Sequence, residues 1–526
     1  MGAATFLSRI MGLVREQVIA YFFGAGNATD AYQVAFRIPN LLRDLFAEGA
    51  MSAALVPTFT QTRTREGERR AWRVASLVFK VLFFFVLALS ILGIYFSEEL
   101  VDLFAHAYRS VPGKFEMTVL LTQIMYPFFP LVALAAAFMA VLNSLGYFFW
   151  PAFASALFNV ASVIVAVLGA LILPRYGIEP VMGLALGVVA GGAVQAFSQL
   201  PVLKRAGFRF VPKEANDPVW YRDPALKTML VLMAPGMVGM AATQVNVLIN
   251  SMLATGLGTG AVSWLGYAFR LMQFPIGIFG VSLAQATLPQ VSRLRAQGDL
   301  AGISSQLNAS LRTVFAVNLP ATIGLIAVGL DLIRLLFEHG QFSMSDSFNT
   351  TKALIAYAVG LVAYSAVKVL VPVCYAFENT RVPVLSSVLS IVLAVTFNLL
   401  MVDHLGFWGL ALGTSLAVFC NCAFLIVSIR RIIQKAGGDW KVGGALQAVL
   451  PYGGLSLVMG LVIWGSRELW IQNFDLPMTL VSKSGLLGIL MLCGIGTAYG
   501  IARLFDLREL LEIFNLFTSR FKKKLS

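Results

Sequence analysis

Nine ionisable residues sit inside runs that are otherwise apolar enough for lipid. They are Arg9, Arg15 and Glu16 in the first run, Asp30, Arg37, Arg43, Asp44 and Glu48 in the second, and Arg270 in the eighth. An arginine at the centre of a membrane-spanning helix costs roughly 2.5–3.5 kcal/mol on insertion scales. A chain that keeps several of them has a use for them. The planar guanidinium fork matches the oxygens of a phosphate, so the chemistry these residues suggest is anion binding in a wet cavity. Two other readings fit the same residues. One is interhelical salt bridges that pin a bundle; the other, for Arg9 and Arg334, is snorkelling to the interface. Bond-making chemistry has no comparable support. The chain contains no HExxH, no DxD and no GxxxxGK[ST], and its three histidines are scattered.

Depth and direction sort the candidates. With a rise of about 1.5 Å per residue, Arg15 lies about 14 Å below Gly24, Arg43 about 21 Å below Thr29 and Arg270 about 15 Å below Gly260. Three arginines from three spans therefore share near-central depths. At 100° per residue, Arg37, Asp44 and Glu48 fall on one face, and Arg9 shares a face with Glu16. These angles predict that Arg37 is neutralised on its own helix, whereas Arg15 and Arg43 have no same-face carboxylate in their spans.

The elements that must hold these side chains are membrane helices. Of 526 residues, 58% are hydrophobic and only 12% charged, about half the charge of a soluble domain, and the mean hydropathy is +0.80. Apolar runs of about 20 residues predict an all-α polytopic membrane protein with about fourteen spans. The first is placed at 3–23, the second at 29–58, the seventh at 225–254, the eighth at 260–291 and the last two at 445–465 and 481–503. The net charge of +13 is distributed by topology and gives no sign of nucleic-acid binding. With both termini cytoplasmic, inside loops and tail hold twenty-three Lys and Arg against six outside, as the positive-inside rule requires. The divisions that follow are 1–203 for spans one to six, a cytoplasmic linker at 204–224, 225–435 for spans seven to twelve, 436–503 for spans thirteen and fourteen, and a basic amphipathic tail at 504–526. The tail is expected to lie on the inner leaflet through Leu507, Leu510, Leu511, Phe514 and Phe517. A faint parallel repeat supports two bundles flanking a cavity: Ala35-Phe36-Arg37 recurs as Ala268-Phe269-Arg270, and Leu55-Val56-Pro57 is echoed by Leu288-Pro289. The four cysteines, Cys374, Cys420, Cys422 and Cys493, have no CxxC spacing and read as small buried hydrophobes. Asn398 and Thr414 suggest a weak cation site, which ordinary interhelical hydrogen bonding explains equally well.

The runs SRIMGLVRE (Ser8–Glu16), FGAGNATDAYQVAFRIPNLLRDLFAEGAMSAALVP (Phe23–Pro57) and YAFRLMQFPIGIFGVSLAQATLP (Tyr267–Pro289) resemble the MviN/MurJ lipid II flippases. Those proteins belong to the multidrug/oligosaccharidyl-lipid/polysaccharide exporter superfamily. The resemblance implies fourteen helices, as two six-helix lobes around a cavity and two C-terminal helices forming a groove for a polyprenyl tail. It implies a transporter of the bacterial inner membrane, not an enzyme, acting on lipid II among membrane lipids, as a monomer. No organic cofactor or metal is implied; coupling to the membrane potential or to a monovalent cation is. The family's cavity arginines fall on Arg9, Arg15, Arg43 and Arg270. Its ATDA aspartate falls on Asp30, and Glu16 takes the place of an acidic neighbour. Charge pairing or gating is assigned to Glu16, Asp30, Arg37, Asp44 and Glu48. Phe269 and Gln273 stand where the family often has acids, which leaves Arg270 less neutralised. The alternatives are a flippase for another polyprenyl-diphosphate glycan, a drug/cation antiporter whose cavity would favour carboxylates, and a cell-wall scaffold that needs the arginines only for packing. The glycines of the last two spans (Gly453, Gly454, Gly460, Gly485, Gly488, Gly494, Gly496 and Gly500) either let helices approach closely or leave a channel for a polyprenyl chain.

Overall fold

The structure is a computed structural model that describes residues 2–46, 50–211, 218–473 and 479–515. Glu48, Lys213, Phe517 and the tail residues Arg520, Lys522, Lys523 and Lys524 lie outside the described residues. All described regular elements are helices. Two compact units are present: residues 1–263 with Gly340–Phe342, and residues 264–339 with 343–526.

In the first unit the helices are α1 Gly2–Phe23, α2 Asn27–Phe46, α3 Ala50–Glu66, α4 Glu68–Tyr95, α5 Ser97–Ala105 and α6 Lys114–Met125. They are followed by α7 Phe128–Ser144, α8 Phe149–Ile172, α9 Met182–Phe197, α10 Leu200–Arg205 and α11 Pro224–Thr255. The chain leaves this unit in the first turn of α12 (Ala261–Pro275). The second unit continues with α13 Val281–Ala296, α14 Leu300–Leu336, α15 Met344–Val359, α16 Leu361–Ala376 and α17 Arg381–Leu405. It ends with α18 Phe407–Lys435, α19 Gly443–Leu446, α20 Val449–Asn473 and α21 Leu480–Leu504.

Among the described residues ten helices are long and apolar enough to cross a membrane, and α15 with α16, bent by 43°, makes eleven. The other expected spans correspond to α1, α2 with α3, and α11, which is consistent with fourteen. The run read as one span over 29–58 holds α2 and α3, with 47–49 outside the described residues. The eighth span is interrupted. Pro275 ends α12 and a π turn over Ile276–Gly280 precedes α13, because proline withholds one N–H from the helical ladder.

Among the described residues the first unit has two apolar cores. One, between α3, α4 and α7, is built on Phe59, Trp72, Phe79, Phe138 and Phe208, whose rings meet edge-on or tilted at 4.8–5.7 Å. The other gathers Ile19, Tyr32, Phe128 and Val188 from α1, α2, α7 and α9. Where α8 crosses α9 the backbones nearly touch: a Cβ on Gly169 would lie 2.4 Å from the Gly183 Cα. At the other end of this unit Arg70 donates to both oxygens of buried Asp223 at 2.9 Å, and Asp223 also caps α11 through Ala225 N.

In the second unit α14 packs with α20 and α21 around Tyr452, Leu455, Met459, Ile463 and Leu490. Two ion pairs fasten these last helices, Arg467–Asp331 at 2.8 Å and Lys483–Glu338 at 3.1 Å. The start of the tail joins this unit: Leu510 is buried in the same apolar cluster, with Leu507, Leu511 and Phe514 half-buried against it, and Glu509 accepts a 2.6 Å hydrogen bond from the Tyr452 hydroxyl. Cys374 is buried as expected, whereas Cys420 is exposed on the outward side of α18 beside exposed Phe419.

The Gly169 contact gives a direct test. Gly169→Ala should destabilise the protein by about 1–3 kcal/mol, the usual overpacking cost, lowering its thermal midpoint in detergent. Gly485→Ala, where nothing lies within 4 Å of the added Cβ, should leave the midpoint unchanged. Equal midpoints for both variants would show that α8 and α9 are not held at this distance.

Candidate functional site

A cavity of about 430 Å³ opens inside the first unit and is lined by α1, α2, α7, α8 and α9. Its size falls within the roughly 300–1,000 Å³ of small-molecule sites. Arg15 from α1 and Arg43 from α2 line it together with Asn40, Ser155, Asn159 and Gln195. The sequence-derived depths of Arg15 and Arg43 therefore converge on one site. Arg9, on the same helix as Arg15, is not in its wall.

Arg15 is set by aromatic rings. Its guanidinium carbon lies 5.6 Å from the Phe158 ring centroid and 6.0 Å from that of Phe36, within reach of cation–π attraction. Phe128 joins those two rings at 5.8 and 5.7 Å, so three phenyl groups make a continuous apolar wall. Opposite, the Asn159 amide donates to the Ser8 carbonyl at 3.3 Å and to the Ser155 carbonyl at 3.2 Å. The first bond ties α8 to α1, and the second stays within α8. The cavity thus combines cationic forks, neutral amides and hydroxyls, and an aromatic surface. Such a lining suits an anionic head bearing hydroxyl and amide groups.

The helical-wheel expectation that Arg15 and Arg43 lack a carboxylate is overturned. Arg15 donates to Glu16 Oε1 from Nη2 at 3.3 Å and from Nε at 3.4 Å. Arg43 donates to Asp44 Oδ1 from Nη2 at 2.6 Å and from Nε at 3.0 Å. Arg37 donates to the Ser251 hydroxyl on α11 at 2.5 Å. The reason is distance along the helix. Residues seven apart are separated by about 10.5 Å of rise, whereas adjacent Cα atoms are about 3.8 Å apart and a long guanidinium folds back easily. The angle of a Cβ does not fix the position of an arginine tip.

Asp30 is fully buried and occupies a different place in this unit. Its Oδ2 accepts from Lys114 Nζ at 3.0 Å and Gly260 N at 2.7 Å. Its Oδ1 accepts from Ser263 N at 3.1 Å and Ser263 Oγ at 2.7 Å. The carboxylate therefore caps the first turn of α12, where unpaired N–H groups and the helix dipole favour an anion. Lys114 also lies 4.0 Å from the Tyr108 ring centroid. Sequence reasoning counted Lys114 only as a loop charge. Its place directly before the apolar start of α6 was the available signal.

In the second unit Arg270 is half-buried on α12, next to Phe269, whose ring meets Tyr357 at 5.3 Å. Asn398 is buried against Gly413, and the Thr414 hydroxyl donates to its own helix at Leu410 O, 2.7 Å away. Among the described residues no group of three or more His, Cys, Asp or Glu could hold a metal ion.

Comparison with known proteins fits this geometry. The model of the family described as lipid II flippase MurJ matches residues 19–483. A probable lipid II flippase MurJ of Vibrio cholerae is 34% identical over 504 residues, covering 93% of this chain and 92% of that one. The lipid II flippase MurJ of Burkholderia cenocepacia is 34% identical over 463 residues, covering 88% of each. A solved lipid II flippase MurJ in an inward closed conformation superposes with a TM-score of 0.78 at 26% identity, covering 96% of this chain and 99% of that one. An inward-facing multidrug transporter of the MATE family shares the fold, with a TM-score of 0.71 at 13% identity over 82% of this chain and 95% of that one.

The Asp30 cluster yields a double-variant test. Asp30→Asn leaves the buried Lys114 ammonium without its counter-charge and should cost about 3–5 kcal/mol of stability. Adding Lys114→Met removes the stranded charge and should recover most of that loss in thermal unfolding. A double variant as unstable as Asp30→Asn alone would show that the ion pair is not what Asp30 contributes.

Proposed function

The chain belongs to the lipid II flippase MurJ family, and from that premise we propose that it moves lipid II from the inner to the outer leaflet of the bacterial inner membrane by alternating access. The observation that carries the reading is the joint presence of Arg15 and Arg43 in one cavity walled by neutral amides and phenyl rings. The diphosphate is received by the guanidinium forks. The sugars and stem peptide meet Asn40, Ser155, Asn159 and Gln195. Arg9 and Arg270 act on the head at other stages of the cycle. The cavity is net-balanced by Glu16 and Asp44, so a cationic drug finds no surplus of carboxylate in it. The function is transport, not catalysis. The membrane potential, worth about 2.3 kcal/mol per charge per 100 mV, is the proposed driving force; the Thr414 hydroxyl is already committed to its helix. The protein works as a monomer with both termini cytoplasmic, a topology supported by the distribution of Lys and Arg among its loops.

The polyprenyl tail is too apolar for the cavity and stays in lipid. Residues 436–503 supply its groove. Six of the eight glycines there (Gly453, Gly454, Gly485, Gly488, Gly496 and Gly500) have nothing within 4 Å of an added Cβ, whereas Gly460 and Gly494 meet Ile323 and Ile463. Close packing accounts for the second group only. The first leaves an open surface along α20 and α21 on which an isoprenoid chain can lie.

Two outcomes test the proposal. In cells depleted of their own lipid II flippase, the wild-type chain should restore growth. Arg15→Ala, Arg43→Ala and Arg270→Ala should accumulate folded but fail, and each Lys variant should rescue in part, because a point charge lacks the bidentate fork. Variants that fail to accumulate would favour the packing role instead. For the groove, Gly488→Trp should keep its thermal midpoint yet slow flipping of full-length lipid in vesicles more than that of a short-chain analogue. Equal slowing for both lengths would remove the groove.

A further inference from the structure

Arg15 and Arg43 each have a neighbouring carboxylate, but the two carboxylates are built differently. The Glu16 side chain is 5% exposed, while that of Asp44 is 20% exposed beside an Arg43 that is 25% exposed. Asp44 gives one oxygen to Arg43, as described above. Its second oxygen accepts from Asn40 Nδ2 at 3.4 Å and from Gln244 Nε2 at 3.3 Å. The carboxylate is therefore anchored by α2 and α11 together. Asn40 and Arg43 are in the cavity wall and Asp44 is not. Asp44 thus holds two of the guanidinium's donors without itself lining the cavity.

This geometry sets both the direction and the strength of the site. A guanidinium facing a diphosphate alone would bind it strongly, and in a partly dry cavity the attraction is larger than in water. A carrier that binds its cargo too well does not release it; passage requires binding favourable enough for entry and weak enough for exit. A fixed negative charge about one hydrogen bond from Arg43 lowers the affinity of that corner for a second anion. The hydrogen bonds from Asn40 and Gln244 keep this charge from swinging into the cavity or out to solvent.

We propose that Asp44 is a positioning residue that orients Arg43 and tempers its affinity, so that a diphosphate head is bound and then released. This rests on the substrate reading of the preceding subsection. Asp44→Asn keeps an oxygen for the Arg43 donors but removes the opposing charge, and thus separates affinity from turnover.

The test uses purified full-length protein in detergent, titrated with inorganic pyrophosphate by calorimetry, and the same variants in vesicles with a fluorescent lipid-linked substrate. Asp44→Asn should bind pyrophosphate about five- to tenfold more tightly and flip lipid more slowly than the wild type. Asp44→Glu, which restores the charge, should return affinity and turnover towards wild-type values. A purely structural role for Asp44 would lower both in the Asn variant. Should Asp44→Asn fail to accumulate, Asp44→Ser supplies the neutral side chain with the same expected rise in affinity. If Arg43→Ala binds pyrophosphate as well as the wild type, the substrate reading itself fails and this proposal with it. If Arg43→Ala loses binding while the neutral Asp44 variants bind no more tightly than the wild type, the role of Asp44 alone is overturned.

Discussion

A guanidinium or carboxylate placed among apolar helices must meet an opposite charge or an array of hydrogen bonds, and the first unit is arranged around that requirement. Asp30 is met by Lys114 and by the opening turn of α12. Arg15 is met by Glu16 and two phenyl faces, and Arg43 by Asp44. Each solution fixes more than the charge. Satisfying Asp30 brings the start of α6 and the start of α12 to α2. Satisfying Arg15 places Phe36 and Phe158 in the cavity wall. The polar groups that would be a liability in a lipid-embedded bundle therefore specify which helices touch, and the cavity is the space their pairing leaves.

The same unit shows how a transporter reconciles buried charge with reversible binding. Arginines with no counter-ion would be costly to insert and slow to release an anion, while fully desolvated pairs would offer nothing to a ligand. Pairing each cavity arginine with a carboxylate on the adjacent residue gives an intermediate state, insertable yet still able to donate. Interruptions elsewhere relax the helices without exposing backbone. Pro275 is followed by a π turn, and α15 and α16 bend at Gly360, whose missing side chain admits Ser415. Such sites are where a long membrane helix changes direction at low cost.

Much of this was legible in the chain. Apolar run lengths gave the helices and loop arginines their order. Depth counting singled out Arg15, Arg43 and Arg270, of which the first two share a cavity while Arg270 belongs to the second unit, and the FGAG-ATDA-NLLR series pointed to the family that comparison then established. What stayed hidden follows from the limits of a one-dimensional reading. Helical angles left Arg15 and Arg43 without a carboxylate because they describe Cβ directions and ignore the reach of a long side chain. Lys114, Gln244 and Asn159 act through partners 84, 200 and 151 residues away, and no local spacing announces such contacts. The tail's amphipathic pattern fits a membrane surface and a protein groove alike, and no spacing announces that Leu510 and Glu509 meet α20.

The central claim is that the arginine-lined cavity of the first unit receives the diphosphate head of a polyprenyl-linked glycan. Mass spectrometry of lipids retained by the purified protein tests it most directly, with wild type and Arg43→Ala prepared in parallel from the same membranes. The account predicts that lipid II is retained by the wild type and depleted from the variant, with bulk phospholipids unchanged between them. Lipid II retained equally by both proteins, or retained by neither, would contradict it.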